Sequence, residues 1–237
     1  MEILENNITS EPFRFKPEDL KSLEKRICEV QNYITNGRVA SAEIPKEHPW
    51  NLSGKSTLGG ETYLNTSLSL SQFCMALIMS RHPLIESLNA SSKGFNFEKY
   101  FLELEKQQIL SGLKLLDIGC GSQPVFARMS RALGASVFTV DRIGADKLYV
   151  IDSKKNSKEQ VVEQESHIQV DMHSENATKV IKERSGGDFN LVSACLFDGL
   201  SVSNKEAGEL LQVGGILHTV LGRSHLAIKT EKGMFED

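Results

Sequence analysis

From Leu113 onward the chain changes its hydrophobic rhythm, and no other feature limits the fold as much. "KLLDIG" is a short apolar run that ends in a glycine turn, "PVFARMSRAL" reads as a helix stopped by Gly134, and "SVFTVD" is the next strand. "HIQVD", "FNLVSACL" and "GILHTV" continue the alternation. Apolar strands separated by helices need crossover connections, and crossovers cover both faces of a mostly parallel sheet with helices. Residues 111–237 are therefore expected to form an α/β domain.

Residues 1–110 read differently, as a helical N-terminal extension or lid. Leu20, Leu23, Ile27, Val30 and Ile34 recur at steps of three and four, which lays them along one stripe of a helix that ends near Gly37. A turn-rich stretch around Trp50 follows. Further helices are expected over Ser67 to Ser80, ending near Pro83, and over "NFEKYFLELEKQQIL". Pro124 suits the first position of the helix after the glycine turn, where its missing N–H costs nothing. "LYVID" fits strand or helix, and "NSKEQVVEQE" reads as a short helix. Ser203, with Glu206 three positions on, forms a capping box ahead of the last parallel strand.

Bulk properties narrow the function classes. The 237 residues are 40% hydrophobic and 24% charged, as in ordinary globular chains. A net charge of −4 argues against a nucleic-acid partner, and no apolar run reaches the length of a membrane span. The N-terminus carries neither a basic start nor an apolar core, and the four cysteines form no CxxC pair. A reducing, cytoplasmic setting without a zinc knuckle is the expectation. The six histidines show no HExxH spacing, and no metal site is expected from His167 and His173 beside Asp171. Gly54-Lys55-Ser56 lacks the upstream glycine and strand of a phosphate loop.

The turn "LLDIGCGSQP" carries the chemistry. A strand that ends in Gly119-Cys120-Gly121 and feeds a helix offers backbone N–H groups to a nucleotide, and glycine permits its close approach. The dinucleotide fingerprint would need a third glycine where Pro124 stands. Asp117, two residues ahead of Gly119, has the wrong sign for a pyrophosphate. It suits a ligand with an ammonium and a sulfonium, namely S-adenosyl-L-methionine.

"LLDIGCGS" resembles the first motif of the class I, Rossmann-like S-adenosylmethionine-dependent methyltransferases. "VFTVD", "IQVDM", "GDFNLVSACL" and "ELLQVGGILHTV" follow in that family's order, so the resemblance spans Ser111 to Val220. It implies cofactor contacts from Asp117, Gly119, Cys120, Gly121 and Ser193. It also implies that Asp141 binds the ribose hydroxyls, Asp171 meets the adenine amino group, and Met172 lies beside the ring. The Cys120 thiol has no base to make it a nucleophile. Ser193, Phe197, Asp198 and His218 fall near the strand ends and are the acceptor-side candidates, with Asp198 or His218 as a possible base.

Two departures from the family stand out. No Asn/Asp-Pro-Pro-aromatic sequence marks a base or amide nitrogen as acceptor, and after strand five only Leu221 to Asp237 remain. "ILHTV-LGRS-HLAIKT" reads instead as a hairpin that sets an antiparallel strand at the edge beside strand five, a shortened form of the fold. The primary reading is a methyltransferase acting on an unidentified acceptor, a small molecule being favoured slightly over a protein. The alternatives are a cofactor-binding regulatory module without transfer, and a nicotinamide-dependent oxidoreductase.

Overall fold

A computed structural model describes residues 14–36, 61–88, 97–121, 124–148, 165–195, 202–221 and 223–236. Ser122, Gln123, Phe197, Asp198, the Trp50 region, Gly54-Lys55-Ser56 and "NSKEQVVEQE" lie outside the described residues.

The helical N-terminal region comprises α1 (Leu20–Asn36), α2 (Glu61–Met79), α3 (Pro83–Glu86) and α4 (Phe97–Lys106). The α/β part follows in the order β1 (Lys114–Ile118), α5 (Val125–Ala132), β2 (Ser136–Asp141), β3 (His167–Gln169), α6 (Ala177–Ser185), β4 (Phe189–Cys195) and α7 (Asn204–Leu210). It ends with β5 (Leu211–Leu221), β6 (Arg223–Thr230) and β7 (Gly233–Phe235).

The seven strands form one sheet in the order β3-β2-β1-β4-β5-β6-β7. Strands β1 to β5 pair in parallel, and their order matches the first five strands of a Rossmann-type sheet. β6 runs antiparallel to β5, so the expected hairpin is present. It does not form the edge, however, because β7 adds a second antiparallel pairing outside it.

Two cores flank the sheet, as alternation along its strands requires. Leu115, Val137, Leu191, Ile216 and Ile228 point to one face and pack under α1, α2 and α5. Leu116, Ile118, Val140, Val192, Leu217 and Ala227 point to the other, against α6 and α7. The predicted stripe of α1 is buried throughout, from Leu20 to Ile34. Each such side chain contributes roughly 1.5–3 kcal/mol, more than enough to hold an amphipathic helix on the sheet.

Three local readings change. Pro124 is the N-cap of α5 rather than its first helical residue. α7 keeps its capping box, with the Ser203 hydroxyl accepting from Glu206 N–H, but β5 begins immediately at Leu211. Gly214 and Gly215 are thus not a turn ahead of the strand but lie within it, where pairing with β4 is irregular. Gly214 has φ of 81° and carries the N-terminal segment: Phe15 N–H donates to its carbonyl at 3.0 Å.

Candidate functional site

The carboxyl ends of β1 and β2 form the site's upper level. Gly119 and Gly121 adopt φ of 71° and 62°, left-handed values that cost an L side chain about 1–2 kcal/mol each. This is why the turn "GCG" can be so tight. Among the described residues nothing lies within 4 Å of where a Gly121 Cβ would point, so they leave open space on that side of the loop.

Asp141, the last residue of β2, holds this loop. Its Oδ2 accepts from Gly121 N–H at 2.9 Å, and its Oδ1 accepts from Ile143 N–H at 3.2 Å. A carboxylate oxygen has two lone-pair directions, so each oxygen keeps one for a ligand hydroxyl. The loop amides are less open than the sequence implied. Gly119 N–H and Cys120 N–H both turn back to the Val140 carbonyl, at 2.8 and 3.4 Å. Burial, then the charges of Asp117 and Asp141, push the Cys120 thiol well up from its usual range, which leaves it protonated and inert.

A second level lies just below, on the face covered by α2. Register places His167 beside Thr139, Thr139 beside Asp117, Asp117 beside Ser193, and Ser193 beside His218. All five are buried, so one polar row crosses five strands inside an otherwise apolar layer. His167 Nε2 bonds to the Ile143 carbonyl at 2.9 Å and its Nδ1 to the Thr139 hydroxyl at 3.0 Å. A carbonyl only accepts, so Nε2 carries the proton. Ser193 Oγ donates to the His218 carbonyl at 3.4 Å.

Asp117 therefore sits beneath a helix rather than facing an open mouth. Gln72 of α2 donates its Nε2–H to Asp117 Oδ1 at 3.3 Å. Burial pushes this carboxyl up to about 7, against the lowering effects of the Gln72 bond and the Arg131 charge, with Asp141 adding a small rise. At neutral pH it is divided between acid and carboxylate. At the far end of the row, neither ring nitrogen of the fully buried His218 has a hydrogen-bond partner among the described residues. Burial lowers its pKa to about 4, so the ring is neutral. A buried polar group without a partner costs about 1–3 kcal/mol, and such groups concentrate where a ligand or a proton is handled.

Asp171 and Met172 are placed less favourably. β3 stops at Gln169, and the exposed Asp171 uses Oδ1 to accept from His173 N–H at 3.0 Å, an Asx-type turn. Met172 is buried in the core on the α6 and α7 side. Sequence reasoning missed Gln72, Thr139 and His167. The available signal was a lone amide inside "LSLSQFCMALIM", a stretch whose residues from Leu70 to Met79 are all buried. Among the described residues no cluster of His, Cys, Asp and Glu is disposed to hold a metal ion, and no helix is long and apolar enough to cross a membrane.

No protein-family model matches the chain, and no curated protein matches it. Among solved structures it is similar to a Plasmodium falciparum protein assigned as a protein-L-isoaspartate O-methyltransferase, in complex with S-adenosyl-L-homocysteine. The two share 15% identity at a TM-score of 0.36, over 81% of this chain and 92% of that one.

Proposed function

We propose that the chain is an S-adenosylmethionine-dependent methyltransferase whose cofactor lies at the carboxyl ends of β1 and β2. The observation that carries this reading is Asp141. It ends β2, bridges to the glycine loop through Gly121, and keeps acceptor capacity toward the space beside that loop. The donor set fits: a carboxylate for vicinal hydroxyls, a glycine turn for close approach, and a second carboxylate, Asp117, for a cationic group.

The cofactor, when bound, supplies a methyl group already activated on a sulfonium. What remains for the chain is binding, alignment and exclusion of water, and alignment alone contributes several kcal/mol. Asp141 accepts the ribose hydroxyls, and Asp117, buried under Gln72 of α2, acts in its ionised form on the positive end of the ligand through its charge. Asp171, exposed just beyond β3, and Met172 beside it are assigned the adenine side. In this reading the helices α1 to α4 serve as the cover, with α2 the one that reaches Asp117. His218, neutral and with no hydrogen-bond partner among the described residues, lies on that side as a hydrogen-bonding group, its burial opposing the charged form. The net charge of −4 disfavours a nucleic-acid acceptor, and a small molecule is favoured slightly over a protein.

Replacing Asp141 tests the proposal. Asp141→Ala removes charge-assisted bonds worth roughly 1.5–3 kcal/mol each, so calorimetry should show S-adenosylhomocysteine binding weakened about tenfold or more. Unchanged affinity removes Asp141 from the site. The second reading is a module that binds cofactor without transfer, and the burial of Ser193 and His218 beneath α2 favours it. It predicts equal cofactor affinity but no labelled methyl product across a broad acceptor panel.

A further inference from the structure

We infer that Gln72 is a positioning residue for this pocket: by donating its side-chain N–H to Asp117 across the α2–sheet interface, it holds that carboxylate ionised and aimed, so that the N-terminal helical layer governs how well the pocket receives a cationic ligand. The inference deepens the methyltransferase reading and rests on it.

Gln72 is 2% exposed within an apolar face of α2, and Asp117 is likewise 2% exposed. A primary amide placed there loses its water, and only a strong acceptor compensates for that loss. An ionised carboxylate is a stronger acceptor than a protonated one, so the bond favours charge on Asp117. Among the described residues the other groups facing Asp117 are few. Arg131 of α5 favours the ionised form and Asp141 of β2 opposes it, while the Cys120 thiol remains protonated. Thr139 and Ser193 flank it with uncharged hydroxyls, and His218 beyond Ser193 is neutral above about pH 4. Burial drives Asp117 toward the acid, and the Gln72 bond is the largest influence in the other direction. A helix of the N-terminal region thus reaches the charge of the sheet's first motif directly. Withdrawing α2 would break the bond and readmit water together.

Two readouts on full-length protein test this. The first is the carboxyl titration of Asp117, followed by carbon NMR on aspartate-labelled protein and assigned with Asp117→Asn. The second is calorimetric affinity for S-adenosylhomocysteine between about pH 5.5 and 8.5, a span centred on the Asp117 midpoint of about 7. In Gln72→Met the midpoint should rise by about one unit. That leaves affinity about fivefold weaker at pH 7 and restored at the alkaline end. Gln72→Glu, closer in shape, should raise the midpoint further and carries the test if the methionine variant does not fold. An unchanged midpoint overturns the inference, as does an affinity loss equal at every pH, which is the mark of a merely structural role. If the midpoint moves but the unsubstituted protein binds no S-adenosylhomocysteine at any pH, the methyltransferase reading fails. The pocket role of Gln72 falls with it, leaving only its hold on Asp117.

Discussion

Asp117 and His218 stand two strands apart on one face, and burial moves their proton equilibria in opposite directions. Asp117 is raised to about 7, so between about pH 4 and that value the folded chain keeps a proton that the unfolded chain has lost. Stability from this group therefore falls as pH rises through that window. His218 is lowered to about 4, so below about pH 6.5 the unfolded chain binds a proton that the folded chain refuses. Its contribution is full above that pH and is lost as pH falls toward 4. The two effects overlap and partly cancel, and single variants separate them. Asp117→Asn keeps an oxygen for Gln72 and removes the buried charge. Urea unfolding should find it more stable than the parent at pH 8, by on the order of 1–3 kcal/mol, with the gap closing toward pH 4. A variant less stable at pH 8 would show that the charge is not a burden. His218→Leu should flatten the acid limb between about pH 6.5 and 4, and an unaltered limb would place that titration elsewhere. Asp141 was legible in the sequence because a strand's last residue has one place to be. The cover over Asp117 was not, since Gln72 lies 45 residues away and nothing local joins them.

Elements whose signals are local came through in the sequence. The α1 stripe, the β2 limits and the Ser203 capping box depend on periodicity or on neighbours within one turn. β5 was harder because "ELLQVGG" reads as helix running into a turn, whereas Gly214 supplies an irregularity that lets the strand start early. β7, only three residues long, is too short to display alternation. Gly214 also shows what ties the N-terminal segment to the sheet. A Cβ there would meet Arg14 Cβ at 2.6 Å and Arg14 Cα at 2.9 Å. Gly112 has a similar φ, 85°, with nothing within 4 Å. Gly112→Ala should cost about 1–2 kcal/mol from its backbone conformation alone. Gly214→Ala should cost that much again or more, because residues 14 and 15 must move. Thermal melts of the pair check this, and equal losses would mean the N-terminal contact contributes nothing. At the same end of the parallel strands, Lys114 Nζ donates to the Ser185 and Gly187 carbonyls at 2.7 Å each. A cation there satisfies backbone acceptors left without intrahelical partners at the end of α6 and complements its dipole.

Across the whole molecule, the crossover order of five parallel strands brings the glycine turn and Asp141 to one end, with the polar row just beneath them. Fold class was legible because strand and helix alternate along the chain. The row was not, because its members from Asp117 to His218 become neighbours only once register is set. The helical region shares one continuous core with α5 and the sheet. The proposed ligand at the carboxyl ends of β1 and β2 is a cationic adenosyl compound, not a dinucleotide. A structure determined after saturation with S-adenosylhomocysteine tests it most directly. The prediction is ribose hydroxyls on Asp141 and the amino group directed toward Asp117. A crevice left empty at saturation, or one that takes the pyrophosphate of NAD on the Gly119–Gly121 turn, would contradict it.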